Sequence, residues 1–279
     1  MKRIDVAPLS DAWFEYRARR VTGSTAAAIL GLANPRWGSP LAEWQRLTGR
    51  AQRSNVVEEW HIWGQESEEF NRKLYQRKTG RLIDPFRGIA QHSNIGWLCY
   101  TPDGVIVSGT ATGITLPALW EAKAPAPFKA EAWSDQIPLE YQVQAQIGME
   151  VMGLHHASFS ALIWPGIKTF DVARDQRFID LALGKIQRFL DYNVARDIPP
   201  EARAGERDRQ VLAELAAPIE WEWTPEVERH NAEVERLQAE IAERENVLDG
   251  HKNRLVQLTG TKGWKFAKDA LKKAQKVTA

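Results

Sequence analysis

Hydrophobic positions along the chain change period twice, and the changes outline its elements. Near the start, "TGSTAAAIL" reads as a helix whose first turn Ser24 or Thr25 caps, and "PLAEWQRLTG" as a second helix. In "VVEEWHIWGQESEEFNRKLYQRKTG", Trp63, Phe70 and Leu74 recur at helical spacing with charged residues on the other faces, and Gly80 is placed to end the helix. The middle of the chain then shortens its period. "IGWLCY" and "ALWEAKAP" read as short strands with the turn Pro102-Asp103-Gly104 between them, and "HASFSALIWPG" with "IKTFDVARD" as a later hairpin. "LEYQVQAQIGMEVMG" is a predicted helix between these pairs, and "DQRFIDLALGKIQRFLDYNV" places Phe178, Leu181, Ile186, Phe189 and Leu190 near one helical face. Helices alternating with strands predict a mixed α/β domain of about two hundred residues.

"DIPPEARAGERD" supplies a proline-rich boundary, which divides the chain into a domain over 1–200, a linker over 201–224 and a helical extension over 225–279. In that extension Val227, Val234, Ile241, Leu248 and Leu255 stand at seven-residue intervals. The intermediate apolar positions hold Leu237 and Leu258, but also His230, Arg244 and His251. Two readings stay open: a coiled-coil seam, or a helix packed on the main domain with a bend at Gly250.

Composition narrows the class of protein. With 279 residues, 43% apolar and 26% charged, the chain can bury a sizeable core. It has no apolar run long enough to span a membrane and no signal-peptide core, so a cytoplasmic location is expected. Cys99 is the single cysteine, which excludes an intrachain disulfide and a four-thiolate iron–sulfur cluster. The net charge of +1 hides an asymmetry: from His251 to the end there are eight Lys or Arg against Asp269 alone, in a segment that also holds Trp264 and Phe266.

The candidate chemistry lies in "TPDGVIVSGTATGITLPALWEAKAP". A strand puts Glu121 and Lys123 on one side and Ala122 on the other, and Asp103 joins them if it ends a neighbouring strand. Two carboxylates at one point repel each other unless a divalent cation lies between them, and hard oxygen ligands suit Mg²⁺ or Mn²⁺. Such an ion polarises a phosphate oxygen and acidifies a bound water, with Lys123 placed to neutralise developing charge. Trp120 reads as core packing, and His61, His155 and His156 as structural. The twelve Trp are expected mostly in the core.

The pattern of Asp, a gap and Glu-x-Lys resembles the PD-(D/E)XK nuclease superfamily. Its companions sharpen the resemblance: "WGQESEEF" with Gly64 before Glu68, "YQVQAQ" with Gln142, Gln144 and Gln146, and "DAWFEYRARRVTGS" with a Trp, an Arg and a Thr-Gly-Ser. Over Ala12 to Arg196 the chain resembles the YqaJ-type viral recombinase exonucleases, the family of phage lambda exonuclease. The resemblance implies a restriction-endonuclease-like core, a mixed sheet flanked by helices, carrying a C-terminal helical extension. It makes Asp103, Glu121 and the backbone carbonyl of Ala122 the metal ligands, Lys123 the catalytic lysine and Glu68 the acid that orients water. Gln144 is a supporting residue beside them, and Arg17 and Ser24 match the pocket for a terminal 5′ phosphate. A guanidinium and a hydroxyl near free helix N–H groups also form an anion site on physical grounds. Glu66 and Glu69 compete with Glu68, as Gln142 and Gln146 do with Gln144, because one helix face cannot hold all three.

The resemblance further implies a Mg²⁺-dependent exonuclease, with Mn²⁺ as substitute, that degrades duplex DNA from its 5′ end and leaves a 3′ single strand for recombination. Family members work with a single-strand annealing protein and form rings, so a homo-oligomer, a trimer foremost, is expected, encoded by a phage or prophage. The alternatives are an endonuclease of the same superfamily, or a non-catalytic DNA-binding assembly protein that uses the basic tail.

Overall fold

The computed structural model describes residues 1–51, 59–110, 112–215 and 224–277, with side chains as far as Leu258 apart from Trp60 and His61. The chain separates into two compact units, Met1–Ala216 and Ala217–Ala279. The first holds a five-stranded sheet in the order β2 (Leu82–Pro85), β5 (Gly104–Ser108), β6 (Ala118–Lys123), β7 (His156–Ile163) and β8 (Gly166–Ala173). Only β6 and β7 run parallel; the other neighbours are antiparallel. A parallel pair needs a crossover, and the chain supplies it with helix α5 (Leu139–Met152). A smaller antiparallel sheet has the order β1 (Lys2–Ile4), β3 (Ile89–Gln91), β4 (Cys99–Tyr100).

Helices α1 (Asp11–Ala18), α2 (Gly23–Ile29), α3 (Pro40–Leu47) and α4 (Glu59–Thr79) precede the larger sheet. Helices α6 (Gln176–Phe189) and α7 (Glu206–Leu215) follow it. The main core joins α2, α3, α5 and α6 to β6 and β7 through Ala26, Leu41, Trp44, Leu119, Ile147, Phe159 and Ile186. Gly153 closes α5 with φ of 69°, a conformation that glycine adopts without strain.

Several elements differ from the sequence pattern. Residues 99–100 do not pair with the strand that carries Glu121; "GVIVS" does, pairing Gly104 with Trp120, and "LCY" belongs to the smaller sheet. The cap of α2 is Thr22, not Ser24 or Thr25: its hydroxyl accepts from Thr25 N, and the Thr25 hydroxyl answers to Thr22 N. On α4 the apolar stripe faces outward, with Trp63 and Phe70 more than half exposed, while Ser67, Asn71 and Tyr75 are buried. The reason is what α4 meets: Asn71 Nδ2 donates to Ser160 O at 2.9 Å and Lys123 O at 3.3 Å, and Tyr75 Oη to Ser158 Oγ at 2.8 Å. On α6 the buried face is Ile179, Ala182, Ile186 and Phe189, and Leu181 is exposed.

The expected linker contains α7, which packs against α3: Val211 is buried in the main core, and Gln45 Nε2 donates to Glu214 Oε2 at 2.7 Å. Among the tryptophans with described side chains, Trp13, Trp44, Trp120 and Trp133 are buried, whereas Trp37, Trp63 and Trp164 are exposed.

The second unit is a long helix, α8 (Pro225–Val277), which passes through Gly250 without interruption. Val227, Val234, Ile241 and Leu248 are exposed along it. The side chains of Trp264, Phe266 and the lysines after Leu258 lie outside the described residues, as does that of His61. No helix among the described residues is long and apolar enough to cross a membrane.

Candidate active site

The site forms where β5 and β6 lie side by side. Asp103 occupies the turn into β5, and the next residue, Gly104, pairs with Trp120. A Cβ at Gly104 would stand 2.6 Å from Ile83 Cγ2, so only glycine lets the turn come this close to β2. Asp103 is thereby delivered to β6, where its Oδ2 accepts from the backbone N of Ala122 at 2.8 Å. Glu121 and Lys123 share one face of β6, and Lys123 Nζ lies 2.8 Å from Glu121 Oε2 and 4.0 Å from Asp103 Oδ2. The ammonium also stands 5.4 Å from the Tyr141 ring centre and 5.8 Å from that of Phe159.

Glu121 is fully buried, yet its carboxylate is well supplied with donors. Gln144 Nε2 and Lys123 Nζ reach Oε2, each at 2.8 Å, and the Tyr100 hydroxyl donates to Oε1 at 2.7 Å. The three glutamines of α5 thus separate: Gln142 donates to Ile137 O, Gln146 bonds Ala173 O and Asp175 N, and Gln144 meets Glu121. The glutamates of α4 separate in the same way. Glu66 and Glu69 are exposed, Glu69 pairing with Lys73 at 2.7 Å, while Glu68 lines the cleft with Asp103 and Gln144.

Charge in this corner is one-sided. Burial, then the Glu121 carboxylate, hold Asp103 well above the usual carboxyl range, with Lys123 pulling the other way. Burial and Glu121 raise Glu68 as well. An excess of carboxylate over ammonium, all oxygen donors, is the chemistry that suits a hard divalent cation. Among the described residues, no group of three or more His, Cys, Asp or Glu could hold a metal ion by itself. The donors that do converge are two carboxylates, Asp103 and Glu121, with Glu68 facing the same cleft.

The cleft, about 290 Å³, extends from Asp103 and Glu68 to Trp13, Arg17, Thr22 and Ser24. The Arg17 guanidinium stacks 3.9 Å above the Trp13 ring and lies 3.5 Å from Thr22 Oγ1, which is 3.2 Å from Ser24 Oγ. Burial pushes Arg17 down to about 10, which leaves it a cation at neutral pH. With Thr22 acting as the cap, the Ser24 hydroxyl is spared that duty. The end of α1 is held from another helix: Arg46 donates to Arg17 O at 3.0 Å, Ala18 O at 2.8 Å and Arg20 O at 2.9 Å, while its Nε bonds the buried Glu43 at 2.8 Å.

Sequence reasoning did not select Tyr100, Asn71, Thr22, Glu43 or Arg46. Tyr100 carried one usable signal, its place three residues before Asp103. The expected core role of Trp120 holds: it is buried, with Nε1 donating to Ser160 Oγ at 3.1 Å. His156 accepts from Thr115 N, a structural contact.

Comparison with known proteins adds an independent line. Two crystal structures of LHK-Exo, an alkaline exonuclease from Laribacter hongkongensis, align with the chain. The one in complex with dAMP is 24% identical with a TM-score of 0.55, and the other 22% identical with 0.53; each alignment covers 74% of this chain and 100% of the other. At this identity the likeness establishes the fold, a restriction-endonuclease-like mixed sheet flanked by helices. A search of curated proteins finds no match. The family described as the YqaJ-like viral recombinase domain matches residues 12–155, a span that holds Arg17, Glu68, Asp103, Glu121, Lys123 and Gln144, and the chain belongs to that family.

Proposed function

We propose that the protein is a divalent-metal-dependent exonuclease that enters duplex DNA at a 5′ end and leaves a 3′ single strand for recombination. The observation that carries this reading is one cleft lined by Glu68, Asp103 and Gln144 at one end and by Arg17 with Ser24 at the other, with Glu121 and Lys123 directly behind Asp103 and Gln144. Asp103, Glu121 and the backbone carbonyl of Ala122 would hold Mg²⁺, or Mn²⁺ in its place. When bound, such an ion supplies Lewis-acid polarisation of a phosphate oxygen and a more acidic water.

The remaining work falls to the chain. Lys123 neutralises charge that gathers on the scissile phosphate in the transition state, and its contact with Glu121 sets where the ammonium points. Glu68, raised by burial and by Glu121, orients the attacking water from across the cleft. Gln144 fixes the Glu121 carboxylate. Arg17 and Ser24 bind the terminal 5′ phosphate, with Trp13 holding the guanidinium flat. That contact places the first phosphodiester at the carboxylates, so position along the strand, not base sequence, decides where cleavage falls.

The family supports a wider reading: a ring-shaped homo-oligomer of three copies, a single-strand annealing partner and action in the cytoplasm of a phage-infected bacterium, with the nuclease domain reaching past residue 200 to take in α7 and the basic charge of the extension lying after His251. An endonuclease of the same superfamily is the competing reading. The test is digestion of linear duplexes labelled at either terminus, with and without Mg²⁺, beside a closed circular duplex. Mg²⁺-dependent release of nucleotides from the 5′ label with the circle intact supports the proposal; cutting of the circle refutes it.

A further inference from the structure

We propose that Tyr100 is a positioning residue that presets the Glu121 carboxylate for the divalent cation. The inference rests on the reading of Glu121 as a cation ligand. Tyr100 is 2% exposed, and its hydroxyl is the donor to Glu121 Oε1, whereas Gln144 and Lys123 both act on Oε2. Three donors from β4, α5 and β6 therefore fix the carboxylate plane, and Tyr100 alone among them holds the Oε1 edge. Remove that bond and the group pivots about its Oε2 contacts.

The ring is itself fixed, and by an absence of side chains. A Cβ on Gly23 would stand 2.4 Å from Tyr100 Cε2, and one on Gly148 would stand 2.6 Å from Tyr100 Cζ. Neither glycine has a positive φ, so their size, not their backbone, is what the place requires. Helices α2 and α5 each leave out a side chain at the point where the ring enters, which makes a slot that aims the hydroxyl at one oxygen. Hydrogen bonds that orient a metal ligand change metal affinity or activity by about 10–100-fold when removed.

The test is Tyr100→Phe, which keeps the ring in its slot. Mn²⁺ is titrated calorimetrically into the DNA-free protein, and digestion is followed across a Mg²⁺ series. The expected result is Mn²⁺ affinity lowered about tenfold or more, with the Mg²⁺ concentration for half-maximal rate raised in proportion. Gly148→Ala, which keeps the hydroxyl but presses on the ring carbon that bears it and so moves it off Glu121 Oε1, reproduces the shift in the same direction. A purely structural tyrosine would lower the melting temperature and leave Mn²⁺ affinity and the Mg²⁺ midpoint as in the unmutated protein; that result overturns the proposal. Asp103→Asn separates the two layers of inference. If it abolishes Mn²⁺ binding while Tyr100→Phe binds normally, only the role of Tyr100 falls. If Asp103→Asn binds Mn²⁺ and digests DNA normally, the metal-site reading falls and takes this one with it.

Discussion

Replacing Lys123 by Met tests the site by separating its charge balance from its chemistry. The side chain keeps most of its length and loses its cation, which leaves the fully buried Glu121 facing Asp103 without an ammonium between them. At 2.8 Å and an effective dielectric of about 20, the lost attraction is about 6 kcal/mol. The net cost to the fold is smaller, roughly 3–5 kcal/mol when a buried pair loses one partner. For a unit of this size, about 4 kcal/mol corresponds to a fall of about 8–16 °C in melting temperature. Saturating Ca²⁺ restores charge balance and, at one hundred times its dissociation constant, returns about 2.7 kcal/mol. It does not restore the reaction: digestion in Mg²⁺ stays about a hundredfold or more below normal, since the group that met the developing charge is gone. Melting curves at pH 7 with and without Ca²⁺, together with a digestion assay, read both effects. A variant that melts normally at pH 7 without metal, or digests normally in Mg²⁺, refutes the reasoning.

Three further outcomes follow from the same geometry. Duplexes with a 5′ phosphate are degraded faster than those with a 5′ hydroxyl, and Arg17→Ala removes most of that preference because a charge-assisted contact is lost; competition between the two substrates in one tube measures it, and equal rates with the unmutated protein would contradict it. Asp103 and Glu68 titrate above ordinary carboxyls, so in the metal-free protein the folded state holds extra protons between the ordinary and the raised values, and stability falls as pH climbs through that window; Mn²⁺ affinity rises over the same window because the ligand form is the carboxylate, and pH-independent affinity in calorimetry would count against the cluster. Deleting residues after Pro218 removes the extension together with the cluster of eight Lys or Arg after His251, so DNA binding measured in Ca²⁺ across a salt series weakens and its salt slope flattens, while cleavage of short duplexes at low salt persists; identical slopes would remove the extension from the DNA.

How far the sequence revealed this site depended on the kind of constraint. Glu121 and Lys123 were legible because a strand's alternation puts them on one face whatever surrounds them, and Asp103 because Pro-Asp-Gly is turn chemistry at a strand entry. Their companions on helices were legible only as sets. Periodicity places Gln142, Gln144 and Gln146 on different faces, but which face looks at Glu121 is settled by α5 packing across the sheet. Helix α4 misled because hydrophobicity was taken as the sign of the inner face, whereas its inner face is polar. Asn71 and Tyr75 meet backbone carbonyls and a serine at the sheet, and Trp63 and Phe70 face solvent. Tyr100 was hidden for a different reason: its slot is made by Gly23 and Gly148, far apart in sequence, and a missing side chain leaves no pattern to read.

The grip of Arg46 on the end of α1 has a consequence in heat. Arg17 O accepts from the Arg20 N–H as the end of a helix ordinarily does, and a guanidinium from α3 further gathers the carbonyls of Arg17, Ala18 and Arg20. The last turn that carries Arg17 therefore frays when α3 loosens, whatever the state of the sheet beneath. Warming the protein would blunt its choice between kinds of DNA end at a lower temperature than the one at which cleavage itself is lost.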